Sequence, residues 1–146
     1  NTVYMAIGVD GSGRDEYIEE ALSVFEVVSL NDLKAISAQS IYKTKIQAGS
    51  QMESLIKSRG YGVFNSTNLN AFSRVKFMSR FNGCRKVALV FHSDLSAAKE
   101  RLEDRFADGL IDCIPEDKTL QSQIRRFNKG LNSLNGEFNS IIHFNN

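Results

Sequence analysis

Proline is almost absent. Pro115 is the only one in 146 residues, and no stretch is of low complexity. Together these argue against a flexible linker or a second domain. Cysteine is scarce as well. Cys84 and Cys113 lie far apart and match no metal-ligand spacing, so free thiols in a reducing compartment are expected. No apolar run approaches the roughly 20 residues of a membrane span, and the first residues show no signal-peptide pattern. A soluble, cytoplasmic protein with no membrane partner is the expectation. An excess of either charge is also missing, since 18 Lys and Arg face 17 Asp and Glu for a net charge of +1. Nucleic acid would therefore have to be held by a local basic patch and not by the whole surface.

What is present is an average globular composition, 42% hydrophobic and 24% charged, in a chain long enough to bury a core unaided. One domain over 1–146 is expected.

Hydrophobic patterning alternates short strands with helices. Residues 4–9 are a first apolar strand. Tyr17, Ile18, Ala21, Leu22 and Phe25 mark one face of a helix, and 26–29 a second strand. Asn31 or Asp32 can cap a helix from Leu33, a weak helical pattern running to Ser58 with a break near Gly49. Residues 62–64 are a third strand. Ala71, Phe72, Val75 and Met78 trace the apolar face of a helix over 70–81, with Asn68 or Asn70 as its cap. The run 86–91 is continuously apolar in its last five residues, as in a strand covered on both faces. Ser93 or Asp94 caps a helix over 95–106, Pro115 opens another through Leu120, Ile124 and Phe127, and 140–144 is a fifth strand. Five strands alternating with helices predict a three-layer α/β fold with a mostly parallel sheet. Ligands in such folds lie at the carboxyl ends of strands.

The stretch Gly8-Val9-Asp10-Gly11-Ser12-Gly13-Arg14-Asp15 follows the first strand. Gly8 and Gly13 have the spacing of the phosphate-binding P-loop, G-x-x-x-x-G-K-[ST]. Gly8, Gly11 and Gly13 permit the backbone turns that aim N–H groups, those of Ser12 and its neighbours, at a phosphate, and the following helix adds its positive N-terminus. Arg14 stands where the pattern has lysine. It keeps the charge but is planar and bulkier. Asp15 stands in place of the hydroxyl residue and is a hard oxygen ligand for Mg²⁺, or else a favourable acid in a helix first turn. A plain glycine turn without ligand is the bland alternative.

The other strand ends are polar. Asn31, Asp32 and Lys34 follow the second strand, where a carboxylate can act as general base and the lysine can hold an acceptor phosphate. Asn65, Ser66, Thr67, Asn68 and Asn70 follow the third. His92 precedes a helix without a nearby triad partner, and His143 sits inside the last strand. On the helix after the fourth strand, Arg101 and Arg105 share one face and can reach phosphates as a lid, unless they pair with the interleaved Glu100, Glu103 and Asp104. Arg125, Arg126 and Lys129 read as a solvated basic face.

The order of these features resembles the kinase domain of phage-type polynucleotide 5′-hydroxyl kinases, a branch of the P-loop kinases. The resemblance spans nearly the whole chain. It is carried by the glycine loop 8–15, by Ser66-Thr67-Asn68-Leu69-Asn70 against the family's D-T-N-L-N, by the lid-like run 100–105, and by Ile114-Pro115 leading into a helix. It implies a P-loop kinase-like fold, ATP and Mg²⁺ as cofactors, and a 5′-hydroxyl of DNA or RNA as acceptor. By that resemblance Gly8, Gly11, Ser12, Gly13, Arg14, Asp15, Arg101 and Arg105 bind nucleotide. Asn31, Lys34, Ser66, Thr67 and Asn68 bind the acceptor, with the interior of a host cell as location for a phage-encoded chain. The family's general-base aspartate falls on Asn31, or on Asp32 with a one-residue shift. Lys34 replaces an arginine and Ser66 an acid.

Three functions follow from these residues. In the first, catalysis is eroded while nucleotide or nucleic-acid binding is retained. In the second, an active ATP-dependent phosphotransferase uses Arg14 on the β- and γ-phosphates, Asp15 on Mg²⁺, Asp32 as base and Arg105 on the transition state. In the third, the domain is a protein-interaction module that binds no small ligand.

Overall fold

A computed structural model describes residues 1–36 and 41–145. Five strands, β1 (Thr2–Ile7), β2 (Val27–Ser29), β3 (Tyr61–Asn65), β4 (Arg85–His92) and β5 (Ser140–Asn145), form one sheet in the spatial order β2-β3-β1-β4-β5. Every pair is parallel. The first strand is thus the central one, flanked by β3 and β4, and the glycine loop leaves the sheet at its middle.

The alternation of side chains explains why β1 and β4 sit inside. Val3, Met5 and Ile7 of β1 join Ala88 and Val90 of β4 on one face. Ala6 joins Val87, Leu89 and Phe91 on the other. Both faces of these strands must be covered, which is the condition for a parallel sheet. Helices α3 (Ile41–Arg59), α4 (Ala71–Met78) and α6 (Asp117–Gly130) cover the first face through Met52, Met78 and Phe127. Helix α1 (Arg14–Ala21) covers the second with Ile18 and the partly buried Tyr17. The predicted α/β fold is observed, with the sheet parallel throughout. No helix among the described residues is long and apolar enough to cross a membrane.

Several local expectations need correction. Helix α2 (Leu30–Ile36) begins three residues before Leu33, so Asn31 and Asp32 lie inside its first turn and do not cap it. The backbone of α3 continues through Gly49 without a break. That glycine makes room instead for Arg80, whose guanidinium would lie 2.2 Å from a Cβ. In α4 the apolar pattern misleads. Phe72 and Val75 are 77% and 54% exposed, while the cation Arg74 is buried. Arg74 can be inside because Glu137, at the end of α7 (Leu134–Glu137), meets it at 2.8 Å and three backbone carbonyls accept its remaining N–H groups. Capping was more legible. The side chains of Asn70 and Asp94 accept from Ser73 N and Ala97 N and open α4 and α5 (Leu95–Ala107).

Candidate functional site

The glycine loop is held in shape by its own chain. Gly8 N donates to Thr67 O at 3.0 Å, and Ser12 N donates back to Val9 O at 3.1 Å. A Cβ on Gly8 would lie 2.5 Å from Ser12 Oγ. Gly11 and Gly13 have φ of +78° and +93°, the left-handed region that side chains disfavour. Among the described residues, no acceptor takes the amides of Gly11, Gly13, Arg14 or Asp15. The last three lie at the start of α1, where helix geometry leaves N–H groups unmatched and partial positive charge gathers.

The side chain of Arg14 turns inward. It is 2% exposed and donates to the side-chain oxygen of Asn65, at the end of β3. Asp15 Oδ1 lies 3.5 Å from the same guanidinium and Asp10 Oδ1 lies 3.8 Å away. Asn65 Nδ2 donates to Asp15 Oδ1 at 3.0 Å, closing a ring of three side chains. Asp10 is secured from the far side by Gln123 of α6, which donates Nε2–H to Asp10 Oδ2 and accepts from Asp10 N, both at 2.9 Å. The cation that the motif would aim at phosphate is thus shared among the protein's own oxygens.

Helix α5 closes over the loop. Arg101 Nη1 donates to Gly11 O at 2.9 Å and to Ser93 Oγ at 3.2 Å. The contact is tight enough that a Cβ on Gly11 would meet Ala98 O at 2.4 Å. Arg105 grips α1, meeting Glu19 at 2.8 and 3.1 Å and Glu16 at 3.3 Å. The hydrogen bond to Glu19 comes first in holding its pKa above the ordinary arginine value, against a smaller opposing effect of burial. The two arginines do share a face, and that face lies against the loop and α1.

Beside the loop is a cavity of about 230 Å³, bordered by Asp15, Glu19, Asn31, Asp32, Asn65 and Arg105. It gathers the ends of β2 and β3 with α1 and α5. The remaining acceptor candidates are distributed differently. Asn68, with φ of +49°, donates to Ala6 O at 2.7 Å and to Ser66 O at 3.3 Å, and Thr67 gives its carbonyl to Gly8. These residues lock the loop after β3 onto β1. Lys34 belongs to α2, and its side chain lies outside the described residues.

One oxygen of Asp15 already accepts from Asn65 and faces a guanidinium, and no group of three or more His, Cys, Asp or Glu among the described residues is arranged to hold a metal. Mg²⁺ in phosphate sites is ordinarily held by one or two carboxylates together with phosphate oxygens and water, and Asp15 is the carboxylate nearest the loop's amides that would serve there.

The architecture has relatives among solved structures. A chain from "Structure of the Pnkp1/Rnl/Hen1 RNA repair complex" superposes with a TM-score of 0.76 at 13% identity, over 89% of this chain and 45% of that one. A gluconokinase from Sinorhizobium meliloti 1021 matches with a TM-score of 0.64 at 19% identity, covering 99% of this chain and 82% of its own. A deoxyadenosine kinase from M. mycoides, with dCMP and dCDP bound, matches at 0.51 and 11%, covering 96% and 89%. The chain has the fold of the P-loop kinases. This P-loop kinase-like chain spans less than half the length of the RNA-repair protein it resembles. No protein-family model matches it, and no curated protein does.

In sequence, Asp10 sits in the glycine loop and Asn65 at a polar strand end, neither with an expected contact to Arg14 or Gln123, and Gln123 is not singled out. Nothing local pointed to Gln123, which reaches Asp10 across 113 positions of sequence.

Proposed function

We propose that residues 1–146 form one P-loop kinase-like domain that holds nucleotide phosphate on the backbone of its glycine loop, with phosphoryl transfer eroded. The observation that carries this reading is the split between main chain and side chain at one position. Among the described residues the Arg14 amide meets no acceptor, while its guanidinium is buried against Asn65. Backbone donors suffice to bind an anion at a helix start. Transfer needs, in addition, positive charge on the moving phosphoryl group, and Arg14 is withdrawn from that task. The general base is weakened too, since asparagine at 31 cannot take a proton and a positioned base contributes about 10²–10⁴-fold. Nucleotide as ligand is consistent with the RNA-repair and deoxyadenosine kinase structures that share the fold, both of which concern nucleotides or nucleic acid.

A second reading is active transfer to a hydroxyl seated in the cavity, with Asp32 as base. Its support is that Asp32 and Arg105 border the same cavity.

Thermal unfolding with ATP, with and without Mg²⁺, tests the first step. Nucleotide at a hundred times its dissociation constant stabilises by about 2.7 kcal/mol, and no shift at millimolar ATP would sink both readings in favour of a module that binds no ligand. Transfer of labelled phosphate from ATP to a 5′-hydroxyl oligonucleotide then separates them. The eroded reading expects none from the natural chain and measurable transfer from Arg14→Lys combined with Asn31→Asp. Efficient transfer by the natural chain would establish the second.

A further inference from the structure

The two faces of the sheet are covered unequally. Buried side chains from α3, α4 and α6 pack on one, while α1 alone supplies a buried helical side chain, Ile18, to the other. Helix α1 is eight residues long and packs over the carboxyl-end half of the strands, where Tyr17 meets Phe91 and Phe144. The opening half is left as a trough of about 330 Å³. Tyr4 of β1, Tyr61 of β3 and Ile142 of β5 line it with Leu22 and Phe25, and no charged side chain borders it. Val24 stands beside it in the turn between α1 and β2, 86% exposed. Ile142 and Phe25 are 46% and 42% exposed. Apolar surface gathered in one place marks a contact site, whereas single exposed apolar residues need no explanation.

We propose that a second copy of this chain covers the face across a two-fold axis, with Val24 of each copy seated in the trough of the other. A two-fold contact sets one patch against itself, so a protruding group must lie beside the hollow it fills. Val24 and the trough meet that condition, since its neighbour Phe25 is part of the trough wall. The charges meet it too. Arg85 belongs to this face by alternation with Val87 and Leu89, is exposed, and donates to Ser140 Oγ. Glu20 is exposed on α1. Neither has an ion pair among the described residues. A face with one unmatched charge of each sign is complementary to its own copy when the axis sets Glu20 against Arg85. The tyrosines suit the same use. Among the described residues the hydroxyls of Tyr4 and Tyr61 meet no hydrogen-bond partner, and a large apolar ring with a polar tip is the side chain that protein interfaces favour.

Sedimentation velocity without nucleotide, over about 1 to 100 µM protein, tests the proposal independently of the phosphate-loop reading. The natural chain is expected at twice its 16.3 kDa mass. Val24→Asp should raise the dissociation constant about a hundredfold or more, because the two-fold axis buries the new carboxylate twice. Glu20→Arg should weaken the dimer by setting like charges together, and Glu20→Arg combined with Arg85→Glu should restore it. Val24 and Glu20 are exposed, so their variants should melt with the natural protein, as circular dichroism would check. A natural chain that stays monomeric across the range would overturn the proposal. So would a dimer that Val24→Asp leaves intact, which would place the contact elsewhere. A monomer that binds phosphatidylcholine vesicles, and loses them on Val24→Asp, would give the face to lipid instead.

Discussion

Asp10 and Gln123 hold each other by two hydrogen bonds of 2.9 Å, and so fasten the glycine loop to a helix from the other end of the chain. Gln123 is buried and serves both the carboxylate and the amide of Asp10. Gln123→Glu removes the donor and sets a second carboxylate against the first. The expected loss is about 1–3 kcal/mol at neutral pH, as for a buried polar group left unmatched. Two carboxyls sharing a site raise one pKa, so the deficit should shrink as pH falls toward 5. Urea unfolding of both proteins across that range measures it.

Gly11 is where helix α5 rests on the loop. A methyl group there meets Ala98 O at 2.4 Å and would have to adopt φ of +78°. Gly11→Ala therefore costs about 1–2 kcal/mol for the backbone alone, and α5 must lift to make room. The prediction is faster amide hydrogen exchange in α5 and a weaker Arg101 contact, with exchange in β4 unchanged. Unchanged exchange in α5 would show that the loop gives way instead.

Arg74 and Glu137 are 1% and 7% exposed and pair at 2.8 Å. Losing one partner of such a pair leaves an uncompensated buried charge, so Arg74→Met should cost about 3–5 kcal/mol. Arg74 also holds the carbonyls of Asn68, Leu69 and Gly130, which fix the loop after β3. Replacing both partners by apolar residues, Arg74→Met with Glu137→Leu, should recover part of the loss and leave the three carbonyls as the remainder. Chemical denaturation of the two variants separates the two contributions.

The legible parts of this fold were those written in local pattern. The apolar run of β4 and the Asp94 cap of α5 needed no distant information, and strand–helix alternation implied a parallel sheet. The face of α4 was illegible because a cation, Arg74, takes a core position that only Glu137 and three carbonyls make tolerable. Gly49 read as a helix break, since sequence does not reveal that Arg80 fills the space where its side chain would be. At the site, glycine spacing located the loop, but the direction of Arg14 depends on Asn65, 51 positions away. A motif specifies where a charge is attached, and tertiary partners decide where it points.

His92 ends β4 and His143 lies within the adjacent parallel strand β5, with ring nitrogens 2.8 Å apart and the His92 ring edge-on to Phe127. One proton between two nitrogens satisfies this contact; a second adds a charge that the first repels. Burial, and then the charge of His143, hold the His92 pKa below its usual value of 6.5. The unfolded chain consequently binds more protons than the folded one as pH drops below about 6.5. Stability contributed by the neutral pair is present above that pH and declines as acid brings the folded pKa within reach. The urea midpoint of the natural protein should fall between pH 7.5 and 5.5. Part of that fall should vanish in His92→Gln, which keeps a hydrogen-bonding group and cannot titrate. An identical fall in the variant would assign the acid sensitivity to other groups, and a rise in the natural protein would contradict the direction of the His92 shift.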